Sequence, residues 1–314
     1  MKRLLFTHVD QDGLASAVQG KILQNKLDFF NDIVMIDYGD EALINEMTYF
    51  QEPDEIYISD ISPNLDFFKI ALKETQKVII CDHHETFFNK WNEKNLSQYK
   101  NVEYFYNKDM CGAEIFYEYV FKKHLESSIY LDSYIELVGT YDLWKDSDPL
   151  WEDANDIQRS FVGMLDKKSK TPYDYFIKHQ LWKYNISPNK FFLSLEEKKI
   201  VKRMKYYEEL AYKKAEEFLE NRIDYSGNKY IYVELRSKIS KVANKLLKKY
   251  DDVKYVVVRN SFLNDGTYSL RSLDGFNVRE IAEKWDCGGH ATASGVVLKE
   301  VNDKDFREGK IHLM

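Results

Sequence analysis

The stretch "HVDQDG", residues 8–13, sets His8, Asp10 and Asp12 two positions apart, directly behind the apolar run "LLF". Further along, "YISD" ends in Asp60, "IICDHH" in Asp82, His83 and His84, and "GTYD" in Asp142. Carboxylates and imidazoles without thiolates suit Mn²⁺, Mg²⁺ or Fe²⁺ better than structural zinc. On an extended segment, residues two apart share a face, so this spacing predicts His8, Asp10 and Asp12 side by side. Taken singly, each group has an ordinary explanation, because an aspartate after a strand often caps the next helix or fills a turn. Taken together they do not, since like charges gathered in one crevice are costly without a cation. The set is also larger than one ion can use. Two ions roughly 3.5–4 Å apart, sharing a carboxylate, would employ it and would suit in-line displacement at phosphorus.

Such a site needs elements that deliver its side chains to one place. Short β-prone runs cover residues 3–8, 32–37, 55–60, 77–82 and 102–107. Helical spacing lies between most of them, as in Leu14, Ala17, Val18 and Ile22, and again over 41–50 and 64–74. Continuous apolar strands between amphipathic helices predict a doubly wound, mainly parallel sheet covered on both faces. Ligands of such sheets sit beyond the carboxyl ends of the strands, where the first, third and fourth runs finish in His or Asp. Residues 112–145 read as mainly helical, and 146–190, with three of the five prolines, as irregular. Ile200, Met204, Tyr207, Ala211, Ala215 and Phe218 keep helical spacing and predict one long helix over 195–220. Beyond it, strands at 230–235, 253–259, 266–272 and 295–300 alternate with helices at 238–250 and 277–285. The expectation is an α/β chain of three parts: a catalytic domain over 1–190, a helical linker over 191–224 and a smaller α/β domain over 225–314.

Composition narrows the class. A chain of 314 residues with 44% hydrophobic and 31% charged residues is an ordinary globular protein with room for two domains. A formal charge of −7 argues against gripping long duplex nucleic acid, but leaves room for a short oligonucleotide or small nucleotide held by local cations. Cys81, Cys111 and Cys287 form no C-x-x-C pair, so neither a disulfide framework nor a thiolate zinc site is expected. "MKRLLFTHVD" meets charge after three apolar residues, and no run approaches a membrane span. A soluble, cytoplasmic protein without a membrane partner is expected.

The motifs resemble those of a known family. "HVDQDG", "SDIS", "CDHHE" and "TYDLW" look like motifs one to four of the DHH phosphoesterases, and residues 268–295 are similar to the DHHA1 domain that accompanies them in one branch. The resemblance covers both halves of the chain in the expected order. His8 lies two residues before Asp10, as in the nano-RNase branch, whereas many relatives place the histidine four before. Carried onto this chain, the resemblance implies that His8 and Asp10 hold one metal, that Asp12, His83 and Asp142 hold the other, and that Asp60 bridges. Asp82 would orient a histidine, and His84 would face the scissile phosphate as proton donor or charge stabiliser.

In "CGGHATASG", Gly288 and Gly289 let backbone amides approach an anion and His290 can donate to it, although a glycine pair is also an ordinary turn. The family places glycine where Cys287 stands. Arg271 carries the planar fork suited to phosphate. The resemblance makes it a phosphate ligand, whereas a strand-end salt bridge is the plainer alternative. Lys238, Lys241, Lys245 and Lys248 line one helical face and read as solvated surface. Most of the 23 tyrosines read as packing residues, though one could stack on a base. The expectation is a two-metal phosphodiesterase, with Mn²⁺ favoured over Mg²⁺, and the resemblance implies that it cuts oligonucleotides of two to five units, RNA first, to nucleoside monophosphates. A 3′,5′-bisphosphonucleoside phosphatase and a linear or cyclic dinucleotide phosphodiesterase fit the same metals. A nucleotide sensor without turnover is the rival of another class, and a homodimer is compatible with all of them.

Overall fold

The computed structural model describes residues 1–37, 39–70, 77–165, 171–261, 266–273, 275–285 and 287–310. It divides into two compact units, Met1–Val201 and Lys202–Met314.

The first unit opens with β1 (Arg3–His8), α1 (Gln11–Leu27), β2 (Asp32–Ile36), α2 (Ala42–Gln51), β3 (Glu55–Ser59), α3 (Leu65–Ile70), β4 (Lys77–Asp82), α4 (Glu85–Glu93) and β5 (Val102–Tyr106). The five strands form one parallel sheet in the order β2-β1-β3-β4-β5. Because β1 pairs with β2 on one side and β3 on the other, the winding reverses at β1, and this opens a crevice at the carboxyl ends of β1 and β3. Leu4, Phe6, Ile56, Ile58, Val78 and Ile80 face a core completed by Ile44 of α2, Phe67 and Phe68 of α3, and Phe87 of α4. On the other face α1 packs against β1 and α5 (Gly112–Tyr119) packs against β4, so both sides are covered and the strands can be continuously apolar. The predicted helix over 64–74 is present as α3, and residues 71–76 lie outside those described.

The rest of this unit is helical: α6 (Ile129–Asp142), α7 (Trp151–Leu165) and α8 (Pro172–Ile186). Reading 146–190 as irregular is therefore corrected over α7 and α8. Its prolines delimit helices rather than prevent them. Pro149 stands two residues before α7, Pro172 opens α8 at a position whose amide needs no helical acceptor, and Pro188 follows the end of α8.

α9 (Leu195–Phe218) starts in the first unit and continues into the second. There follow β6 (Glu220–Ile223), β7 (Lys229–Leu235), α10 (Ile239–Lys249), β8 (Tyr255–Asn260), β9 (Thr267–Ser272), α11 (Arg279–Glu283), β10 (Gly289–His290), β11 (Ala293–Val297) and α12 (Glu300–Arg307). The sheet runs β10-β11-β9-β8-β7-β6, with β7 and β8 parallel across α10 and the other pairs antiparallel. β6 falls where the sequence reading placed only linker. Its polar "ENRI" is an edge strand, which needs apolar residues on neither face.

The lysine face of α10 is also not simply solvated. Lys241 lies 2.9 Å from Glu208 of α9, Lys245 lies 2.9 Å from Glu209, and Lys249 pairs with Glu216. These pairs flank a core of Tyr212, Ala215, Val242, Leu246, Ile231 and Val256.

Candidate metal centre

The chain around "HVDQDG" does not stay extended, which corrects the one-face expectation. His8 ends β1, Asp10 caps α1 by accepting the Gly13 N–H at 3.0 Å, and Asp12 lies in the first turn of the helix. Convergence comes instead from the tightness of the strand-to-helix turn. A Cβ on Gly13 would sit 2.2 Å from the His8 carbonyl oxygen, so only glycine lets α1 press this closely on the end of β1.

Asp12 is fully buried and points across to α5. Its two carboxylate oxygens accept the backbone N–H groups of Gly112 and Ala113, both at 2.7 Å. The N-terminus of α5 thus satisfies both oxygens of this carboxylate with backbone donors. Asp60 follows β3 with φ +58°, a kink that an aspartate tolerates and that turns its side chain into the crevice. A Cβ on Gly112 would come within 2.5 Å of the Asp60 Cβ, so α5 needs that glycine to seat itself over both aspartates.

The distances describe two adjoining groups. His8 Nδ1 lies 3.0 Å from Asp10 Oδ2 and 3.9 Å from Asp60 Oδ2. His83 Nε2 lies 3.4 Å from Asp60 Oδ1, 3.6 Å from Asp142 Oδ2 and 3.9 Å from Asp12 Oδ2. In each of the sets His8–Asp10–Asp60, Asp12–His83–Asp142 and Asp60–His83–His84, donor atoms lie within 4.8 Å of one another. Asp60 and His83 belong to two sets each. Asp142, at the end of α6, has a side chain 26% exposed and marks the open side of the cluster.

The electrostatics are those of a site short of positive charge. Burial and the neighbouring Asp10, Asp12 and Asp142 push Asp60 far above the ordinary carboxylate range, and burial with Asp12 and Asp10 does the same to Asp142. Burial opposes ionisation of Asp10 too, but His8 outweighs it and the pKa falls. Among the described residues no hydrogen-bond donor reaches Asp60 Oδ2, although that atom is buried. A buried carboxylate oxygen without a donor, in a nest of carboxylates and imidazoles, is what a hard divalent cation completes, so the residues fit the metals they suggest.

Asp82 and His84 form a separate pair. Asp82 Oδ1 meets His84 Nδ1 at 2.6 Å and also accepts the His84 N–H at 3.2 Å, while Ser62 donates to Asp82 Oδ2 at 2.9 Å. Burial opposes both charges, yet the pairing outweighs it: Asp82 is lowered and His84 raised. His83 goes the other way, because burial lowers it more than the aspartates raise it.

Three contributors escaped the sequence reading. Asp37, just after β2, brings Oδ1 to 3.9 Å from His8 Nε2, and its position after an apolar strand was the available signal. Gly112 and Ala113 act through backbone amides, which no residue type announces. In the second unit, Arg271 donates to the Leu270 carbonyl at 2.8 Å and to Ser240 Oγ at 3.0 Å. It pairs in register with Ala293, which pairs with His290, so these three backbone positions form one row across β9, β11 and β10. Gly289 adopts φ +145° in this short strand, and Gly288 accepts the Gly295 N–H at 3.0 Å. The His290 side chain lies outside what the structure describes.

Residues 227–308 match the family model described as the DHHA1 domain. The C-terminal part of the chain thus carries a DHHA1 domain. The chain is 25% identical over 309 residues to oligoribonuclease NrnB of Bacillus subtilis (strain 168), covering 94% of this chain and 73% of that protein. Its fold is similar to the pGpG-specific phosphodiesterase PggH from Vibrio cholerae, with TM-score 0.56, 13% identity and coverage of 98% of this chain and 97% of the other. It is also similar to RecJ in complex with Mn²⁺ from Thermus thermophilus, with TM-score 0.52, 15% identity and coverage of 98% and 51%. At such identities the two structures speak for the fold alone. Among the described residues no helix is long and apolar enough to cross a membrane.

Proposed function

We propose that this protein is a two-metal phosphodiesterase that hydrolyses oligonucleotides of a few units to nucleoside monophosphates. The observation that carries the reading is the sharing of Asp60 and His83 between adjoining donor sets at the mouth of a parallel sheet. His8, Asp10 and Asp60 would hold one cation, and Asp12, His83 and Asp142 the other, with Asp60 common to both. When bound, Mn²⁺ or Mg²⁺ supplies charge neutralisation and Lewis acidity for displacement at phosphorus. A metal-binding imidazole must be neutral, which the burial of His83 favours. His84 has the opposite setting. Its Nδ1 is held by Asp82, which favours the protonated ring, and a protonated imidazole can give a proton or a hydrogen bond to the leaving oxygen. In the C-terminal unit, Arg271, Gly288, Gly289 and His290 are assigned to a non-reacting phosphate of the substrate.

Similarity to NrnB supports a short oligonucleotide as the substrate, and the net charge of −7 opposes a long duplex. The test is a set of initial rates with Mn²⁺ on pGpG, a ribonucleotide 5-mer, its DNA counterpart, pAp and pyrophosphate, each repeated with chelator. Fastest turnover of the short RNAs, lost with chelator, is expected. Preference for pAp would reassign the substrate, and nucleotide binding without turnover of any member would make the protein a sensor.

A further inference from the structure

The residues just after Asp142 contain a feature that metal binding does not use. α6 ends in a two-bond helix stop: the Lys145 N–H donates to the Thr140 carbonyl at 3.0 Å and the Trp144 N–H to the Tyr141 carbonyl, also at 3.0 Å. In this motif the residue at the Trp144 position takes a left-handed conformation and is usually glycine. Trp144 takes it with φ +50°. A bulky side chain there is held against its own backbone preference, and such strain gathers where a site has use for the side chain.

The Trp144 ring joins Trp151 at 4.9 Å between centroids and 65° between planes, and Tyr141 at 5.7 Å and 56°. Tyr141 and Trp151 lie nearly parallel, 10° apart at 5.8 Å. All three rings are half-buried, so the group keeps aromatic surface toward solvent. Two of its rings, Tyr141 and Trp144, flank Asp142 in the chain, and the Asp142 carboxylate lies 3.6 Å from His83 Nε2 with its side chain 26% exposed. Core packing alone accounts poorly for this placement. A core aromatic would be buried, and glycine would end the helix with less strain.

We propose that Trp144, backed by Trp151 and Tyr141, is the stacking surface for the nucleobase next to the phosphate at the metal centre. This rests on the phosphodiesterase reading and extends it from the phosphate to the base. Stacking has no sequence preference, so such a surface would accept short fragments of any composition.

The test is Trp144→Gly, which removes the ring while giving the helix stop the residue it favours, so folding should be kept. Binding to the Mn²⁺-loaded protein is measured by calorimetry with diadenylate whose bridging ester oxygen is replaced by methylene, so that it is not cleaved, and with the same analogue lacking both bases. Trp144→Gly should weaken diadenylate about 10-fold, leave the abasic ligand and Mn²⁺ affinity unchanged, and quench less on adding diadenylate than wild type. Trp144→Phe should recover most of the loss. Equal diadenylate affinity in wild type and Trp144→Gly, or equal weakening of both ligands, would overturn the proposal. Should Trp144→Gly fail to fold, Trp144→Leu, which keeps bulk without the ring, decides on the same criterion. Turnover is scored separately: base-dependent binding without hydrolysis would remove the phosphodiesterase reading and keep the stacking surface.

Discussion

The N-terminal unit gathers two groups of ionisable side chains and treats them in opposite ways. Between α8 and α9, Lys183 and Glu197 meet at 2.9 Å, with 0% and 1% of their side chains exposed. Every demand there is met from within. Glu197 also accepts the Ser194 N–H at 2.6 Å and a hydrogen bond from Gln180, His179 lies 3.5 Å away, and the Lys183 ammonium lies 4.6 Å from the centre of the Phe191 ring. At the ends of β1, β3 and β4, by contrast, Asp10, Asp12, Asp60 and Asp142 gather around His8 and His83. Among the described residues no lysine or arginine pairs with them. One cluster closes on itself and the other is left open. The difference separates charge buried for architecture from charge buried for a ligand.

The sharpest way to break that contrast is Asp60→Asn. Hydrolysis with Mn²⁺ should fall by more than the ~100-fold that loss of an outer-sphere partner costs. The metal-free protein should nevertheless melt higher, because the substitution removes a carboxylate crowded by Asp10, Asp12 and Asp142. Turnover and thermal melting in chelator measure the two effects. A lower melting temperature would show that the protein balances these carboxylates itself.

Glu197→Gln should do the reverse. It strands the Lys183 ammonium in a dry interior, which costs about 3–5 kcal/mol of stability. Urea unfolding measures the loss, and kcat per folded molecule should stay at the wild-type value. A fall in kcat with stability intact would mean that the two clusters are coupled.

How much of this was legible in the sequence differs between the clusters for a physical reason. Strands that end in His8, Asp60 and Asp82 stand out because a buried parallel strand is continuously apolar and the change to Asp or His is abrupt. That pattern located the sheet, its crevice and the candidate ligands. Lys183 and Glu197 were invisible, since a charged residue on a helix is ordinarily solvated and only tertiary packing reveals otherwise. α7 and α8 were missed because proline reads as a breaker wherever its place relative to the helix start is unknown. The extended reading of His8 to Asp12 failed because Gly13 permits a turn tight enough to start a helix at once. The clamp on Asp12 is made by backbone amides, which leave no trace in residue types.

Acid should expose the closed cluster. Burial pushes the Glu197 carboxyl up, but His179, Lys183 and the Ser194 N–H outweigh it and hold it at about 2, against an ordinary value of 4.5. A carboxyl depressed by folding contributes stability that is complete above its unfolded pKa and lost as the pH falls through its folded one. Wild type should therefore lose about 3 kcal/mol between pH 5 and pH 2 through this group. Glu197→Gln should lose that much less over the same range. Parallel pH profiles for the two proteins would show that Glu197 ionises as easily unfolded as folded.

Mn²⁺ should close the open cluster and leave the other untouched. A ligand that binds only the folded state stabilises it by about 2.7 kcal/mol at 100 times its dissociation constant. Wild type and Glu197→Gln should gain that increment alike, because the Lys183 pair offers a cation nothing. Asp60→Asn should gain much less, having lost the carboxylate that belongs to two of the three donor sets. Melting with and without Mn²⁺ across the three proteins measures this. A gain that survives Asp60→Asn would place the ion outside the crevice, and the unbalanced carboxylates would then need another explanation for being buried together.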